Sequence, residues 1–434
     1  MPFRFFAPLL VVALLVGACT ADRPAPGEAP PAGVVAPVAN EGSAGARNCT
    51  RLPVGTHLPR LNSHRDQLLL SYVRSGGAKD SLQSRFFTTA GWSRPLTAAS
   101  GDDWFVNWAD RPGIVAYRAP ALEYAHFAWW LDYSGTGTYD YDIRFKDQAN
   151  HRVRSAQTLH QDGVRAEHGF VSTAALPTRG LQVSWLDGRH TKEKGADAGA
   201  TETGDAGHGH GGGAMTLRTK LLGAATSVEL DDRVCDCCGT ATVATADRTL
   251  VAYRDRSADE VRDISYVVKP TGGAWSAPRP VFKDGWRIEG CPVNGPALAA
   301  NAGGDIVVVW YTEAAGRKQV KIARYDAATE TFAEPRVLAE DGALGRVDVQ
   351  LTAGGTALVS LLRATNDAGV AEVVLCTVPP SGTVETTVLA TTPSARASGF
   401  PVLALHQDRL YHARTVVDQQ QDQHYVEVCW RAAP

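Results

Sequence analysis

Seven short apolar segments recur along the chain, each carrying an aromatic or polar residue: LLLSYV, HFAWWL, LQVSWL, TLVAYR, IVVVWY, ALVSLL and RLYHAR. They begin near Leu68, His126, Leu181, Thr249, Ile306, Ala357 and Arg409, at intervals of roughly 50 to 70 residues, a propeller-blade spacing rather than a solenoid one. The same order of features surrounds each copy. A strand such as GPALAAN precedes it, a second such as QVKIARY follows, and a W/F-x-x-P turn often leads into a further one, as in WSAPRPVF and FAEPRVL. Helical periodicity is weak, and Gly, Pro and Asp punctuate the strands. Four-stranded sheets set radially bury both faces against their neighbours and leave only short edges. The pattern therefore predicts an all-β fold, a β-propeller of seven blades, with six as the alternative if a terminal copy is not a full blade. The last copy ends at VEVCWRAAP with no obvious fourth strand, and CTRLPV, starting at Cys49, is placed to supply it and close the ring.

Ahead of the repeats, MPFRFFAPLLVVALLVGAC carries one early cation, Arg4, an apolar run from Phe5 to Val16, and small residues before Cys19. The run is too short for a membrane span and reads as an export signal over residues 1–18. Val16-Gly17-Ala18-Cys19 resembles a bacterial lipobox, which implies lipidation of Cys19 and anchoring in the cell envelope; with Thr20 rather than Asp next, the outer membrane is the expected address. An ordinary signal peptide cut elsewhere is the alternative. Residues 19–48 are rich in Pro, Ala and Gly, cannot bury enough apolar surface to offset chain entropy, and read as a flexible tether. The remainder, 49–434, is long for one domain, but all-β folds reach such lengths. A formal charge of −3 and the lack of a long basic block argue against a nucleic-acid partner.

In a propeller, the loops leading into the inner strands and the loops joining second to third strands meet around one mouth of the channel. The chemically rich stretches all fall on such loops: DDWFVNWADRP, RAEHGFVS, RVCDCCGT, DGWRIEGCPVNGP, GRVDV, RDRSADEVRD and the insert between Asp187 and Met215 that contains GHGHGGG. Cys235, Cys237 and Cys238 are thereby expected beside Cys291 of the next blade. Soft thiolates select copper(I) or zinc, and His168, His208 and His210 could add nitrogen ligands, so a transition-metal site, copper before zinc, is the leading expectation. Two alternatives stay open. One is a disulfide, most simply Cys291 with Cys235 or Cys237, since oxidised thiols are the default after export. The other is redox chemistry by a thiolate activated by Arg233 or Arg254, including a strained Cys237-Cys238 bond. Of the eight cysteines, seven remain if Cys19 is lipidated, so at least one cannot pair within the chain. Cys376 and Cys429, on third strands, are expected as buried small residues or a staple between blades.

The turns TGGAWSAP and DAATETFAEP resemble worn Asp-box turns of the sialidase-like (BNR-repeat) propellers: Gly272 and Trp275 match in the first, Thr331 and Phe332 in the second. Pro270 stands where the first box would have its Asp, and the early Arg-Ile-Pro motif is missing, with ADRPG at Arg111 the nearest approach. The resemblance implies an exo-α-sialidase-type glycoside hydrolase or a glycan-binding module. In that reading Arg254, Arg262 and Arg346 would grip an anionic sugar, Asp255 or Asp263 would act as acid, and Glu167 or Glu289 would pair with a tyrosine such as Tyr253. A third expectation is a scaffold that binds an envelope protein through Trp104, Trp108 and Trp286.

Overall fold

The computed structural model describes residues 48–148, 155–192, 213–418 and 420–434. Their strands form seven antiparallel sheets, one for each repeat, so the ring has seven blades. Blade 4 shows the plan: Ala241–Ala244 lies innermost, followed outward by Arg248–Arg254, Ile264–Pro270 and Arg279–Pro280. The other inner strands are Thr56–His64, Gly113–Tyr117, His168–Ala175, Ala297–Ala300, Ala343–Leu351 and Val402–His406.

The repeated apolar segments are the second strands. Each is covered by a neighbouring blade on both faces, which is why Leu181–Asp187 and Ile306–Thr312 are buried at every position. The core is accordingly a series of clusters between adjacent blades. Trp286, Tyr311 and Val349 pack between blades 5 and 6, and Phe170, Val234, Tyr253 and the cysteines Cys235, Cys237 and Cys238 between blades 3 and 4. At about 1.5–3 kcal/mol for each large apolar side chain removed from water, these interfaces hold the ring together.

Closure follows the expected route. Asn48–Arg51 pairs with Gln423–Ala432 as the outermost strand of blade 7, in a register that sets Cys49 opposite Cys429. The two cysteines form a disulfide across 380 residues of chain. Cys429 is thus a staple inside the closing blade rather than between blades, while Cys376 is a buried free thiol on Val370–Val378.

Near the mouth, the inner strands of blades 1, 3 and 6 break register, with Leu58, Phe170 and Arg346 at φ of 53°, 54° and 52°. A left-handed residue in a bulge turns the incoming chain and re-aims its side chains at the rim. The expected leader, the expected lipidation site at Cys19, residues 19–47 of the expected tether and both insert histidines, His208 and His210, lie outside the described residues, whereas Asn48 opens the closing strand.

If the disulfide is what secures the closing strand, Cys49→Ala should lower unfolding free energy by about 3–5 kcal/mol and the melting temperature by about 5 °C. Calorimetry at a fixed scan rate reads this. An unchanged transition would show that strand pairing alone closes the ring.

Candidate functional site at the channel mouth

Two lead-in loops build the site, and a glycine lets them touch. A Cβ on Gly295 would run into the backbone of Gly239, so only glycine allows the loop before blade 5 to lie against the loop before blade 4. Arg254 locks the contact from below. Its guanidinium, 1% exposed, donates to the carbonyls of Asn294 at 2.7 and 2.9 Å, Arg262 at 2.6 Å and Tyr311 at 2.7 Å, and stacks over Trp286. Asn294 in turn accepts the Arg346 N–H at 2.8 Å and donates to the Leu344 carbonyl at 3.3 Å, extending the brace to blade 6.

The thiols meet as the loop geometry predicts. The Cys235 Sγ lies 3.3 Å from that of Cys238 and 3.9 Å from that of Cys237, and the three sulfurs fall within 4.8 Å of one another without a disulfide among them. Cys291, partly buried, packs against the same cluster. Burial opposes charge on Cys235, but hydrogen bonding with the Cys237 and Cys238 thiols and the nearby Arg262 guanidinium outweigh it and hold this thiol well below its ordinary range. Arg262 Nη1 donates to Cys235 Sγ at 3.3 Å while its Nη2 holds Glu260 at 2.7 Å. The cation beside Cys235 is therefore Arg262 rather than the expected Arg233 or Arg254. Arg233 is exposed, and Arg254 is spent on carbonyls. Arg256 completes the frame by pairing with Asp236 at 3.0 Å and with Glu260.

Cys237 also faces the central channel. There a cavity of about 80 Å³ is lined by residues of every blade, including Arg60, Asp110, Arg111, Phe170, Val347 and Phe400. Asp110 accepts the Phe170 N–H at 2.8 Å and the Tyr141 hydroxyl at 3.3 Å, and Asp348 accepts the Leu403 N–H at 2.7 Å. Burial pushes the Asp110 carboxyl up to about 7 and that of Asp348 up to about 6, against the pull of these hydrogen bonds and of Arg60 and Arg111. Burial likewise brings Arg60 down to about 9.

The remaining expected site residues go elsewhere. His168 does not join the thiols. It stacks on His160 with ring centroids 3.6 Å apart and planes 7° from parallel, and its Nε2 faces Asp162 at 3.3 Å and Asp187 at 3.6 Å. Parallel rings aim their lone pairs side by side rather than at one point, and Arg189 already bridges Asp187 at 2.6 Å and Asp162 at 3.1 Å. This group is an ion-pair network with its own cation. The three arginines expected to share a sugar carboxylate are each engaged by other groups: Arg254 and Arg262 as above, and Arg346 donates to the carbonyls of Ala395, Gly399 and Ser394 and stacks over Trp108. Asp255 accepts from Ser265 at 2.9 Å and from the Arg256 N–H, and Glu289 is exposed. Glu167 does meet a tyrosine, but it is Tyr141 at 2.9 Å, whereas Tyr253 donates to Asp231. Trp104 and Trp286 are packed inside, and Trp108 stacks on Phe400.

No known protein family matches the chain, and no curated protein sequence does either. Solved structures do resemble it. A protein of unknown function from Dyadobacter fermentans aligns with a TM-score of 0.49 at 11% identity, over 89% of this chain and 98% of that one. The polysaccharide lyase Uly1 gives 0.47 at 9% identity, over 87% and 90% of the two chains. The α-L-arabinanase of Penicillium chrysogenum, solved with arabinobiose, gives 0.45 at 12% identity, over 88% and 98%.

The channel carboxyls make stability depend on pH in a direction that can be stated. The folded chain holds the Asp110 proton more tightly than the unfolded chain, where an Asp titrates near about 4. This contribution is fully present below that pH and is lost as pH rises through about 7. Asp110→Asn keeps an acceptor for the Phe170 N–H and never ionises. Relative to that variant, the wild type should lose stability from about pH 4 to about pH 7, by a few kcal/mol at most. Urea unfolding of both proteins across this range measures it, and parallel profiles would refute a raised Asp110.

Proposed function

We propose that this chain is an envelope-anchored protein that binds a soft transition metal, copper(I) before zinc, through Cys235, Cys237 and Cys238, with Cys291 at the edge of the site. The observation that carries the reading is the gathering of three unbonded buried sulfurs, two of their separations being 3.3 and 3.9 Å. Metal–sulfur bonds of about 2.3 Å set sulfurs about 3.8 Å apart around a tetrahedral ion and about 4.0 Å apart around a trigonal one, so little movement is required. Thiolates are soft ligands, and copper(I) is satisfied by the three buried sulfurs, whereas a structural zinc site takes four ligands and would have to recruit the partly exposed Cys291. Arg262 supplies a positive charge beside Cys235 that offsets the anionic character of a thiolate complex. The lipid anchor at Cys19 belongs to the same proposal and would hold the site at the envelope.

The test uses full-length protein, reduced and stripped of metal, then titrated with copper(I) in competition with a chromogenic chelator. One copper per chain is expected, with the affinity falling roughly a hundredfold in Cys237→Ser. Failure to retain copper or zinc while all four clustered thiols react freely with an alkylating reagent would remove the proposal.

A further inference from the structure

The same four sulfurs are graded in exposure and stand in a chain of contacts. Cys291 is partly exposed and packs against the cluster that contains Cys237, which is 4% exposed; Cys237 is 3.9 Å from Cys235, and Cys235 is 3.3 Å from Cys238, the last two being 0% and 1% exposed. Cys235 and Cys238 are separated by two residues, the spacing that closes a local disulfide ring in dithiol redox centres. We propose that the cluster is a disulfide relay, which accepts oxidising equivalents from a small-molecule disulfide at Cys291 and stores them as a Cys235–Cys238 bond. The relay does not require that the site bind metal.

Each step is a thiol–disulfide exchange between neighbours. The Cys291 thiolate attacks the external disulfide, forming a mixed disulfide and releasing one thiolate. Cys237 then attacks the Cys291 sulfur, forming Cys237–Cys291 and releasing the second. The external disulfide has gained two electrons and, with the two cysteine protons, leaves as two thiols. Next, Cys235 attacks the Cys237 sulfur across 3.9 Å, and Cys291 departs as a thiolate. Cys238 attacks the Cys235 sulfur across 3.3 Å, forming Cys235–Cys238 and releasing Cys237. A second external disulfide reoxidises Cys237 and Cys291, so the fully oxidised cluster holds two bonds and has consumed two equivalents. Cys49–Cys429, in another blade, and Cys376 take no part.

The experiment treats metal-free full-length protein with excess oxidised glutathione, quenches with acid at intervals, and maps disulfides by mass spectrometry. Expected are an early glutathione adduct on Cys291, then Cys237–Cys291, then Cys235–Cys238. Cys291→Ser should slow formation of Cys235–Cys238 by about tenfold or more. Cys237→Ser should stall with glutathione on Cys291. An adduct appearing first on another cysteine, a Cys235–Cys291 bond, or Cys235–Cys238 forming at the wild-type rate in Cys291→Ser would overturn the relay. Because Cys291 is partly exposed, its variant decides the matter even if Cys237→Ser fails to fold. Copper binding by the wild type is scored separately, so loss of either reading leaves the other standing.

Discussion

Ring closure is the constraint on which the rest of the molecule depends. Each blade hides both faces of its sheet only because a neighbour stands on each side, so an open ring would expose two apolar faces at once. The pairing of Asn48–Arg51 with Gln423–Ala432, fixed by Cys49–Cys429, joins chain segments that lie 380 residues apart and removes that liability. Closure also sets the radius of the channel. With the radius set, the bulged inner strands of blades 1, 3 and 6 present Arg60, Phe170 and Val347 to one small cavity, and the thiol loops come into register with it.

Within that frame, buried arginines act as braces rather than as ligands. A guanidinium has five N–H donors in a fixed fork, and when buried it must satisfy them. Arg254 does so on the carbonyls of Asn294, Arg262 and Tyr311, and Arg346 on those of Ser394, Ala395 and Gly399 in the link between blades 6 and 7. The effect on the site is indirect and necessary. Arg254 fixes the turn at Asn294, the Gly239 and Gly295 backbones meet, and Cys291 packs against the thiol cluster.

The blades are legible in the sequence because burial on both faces forces a continuous apolar run at every second strand, and because a closing strand must exist where the last copy stops short. The convergence of Cys235, Cys237, Cys238 and Cys291 follows from topology and is legible for the same reason. Arginine roles are not. The same residue type binds a sugar carboxylate or a backbone carbonyl, and only the angles of the fork tell which, so Arg254, Arg262 and Arg346 read alike in one dimension, yet in space Arg254 and Arg346 brace carbonyls while Arg262 meets Cys235 and Glu260. His168 is illegible for a related reason. Its partners come from four places in the chain, at Asp142, His160, Asp162 and Asp187, and only the nearby His160-Gln161-Asp162 hints at them. One signal was present and outweighed. Cys235 and Cys238 have an ordinary two-residue spacing, and the extra Cys237 between them obscures it.

The proposed metal binding and the proposed disulfide storage draw on the same sulfurs and exclude each other, because a sulfur in a disulfide has no thiolate lone pair to offer a metal. Arg262 serves both uses for one physical reason. A cation at 3.3 Å from Cys235 favours the thiolate, and the thiolate is at once the ligand and the nucleophile. Glu260 and Arg256 hold that cation in place, so the charge at the thiol cluster is set by the second-to-third loop of blade 4, and the redox state of the sulfurs decides which of the two chemistries that charge assists.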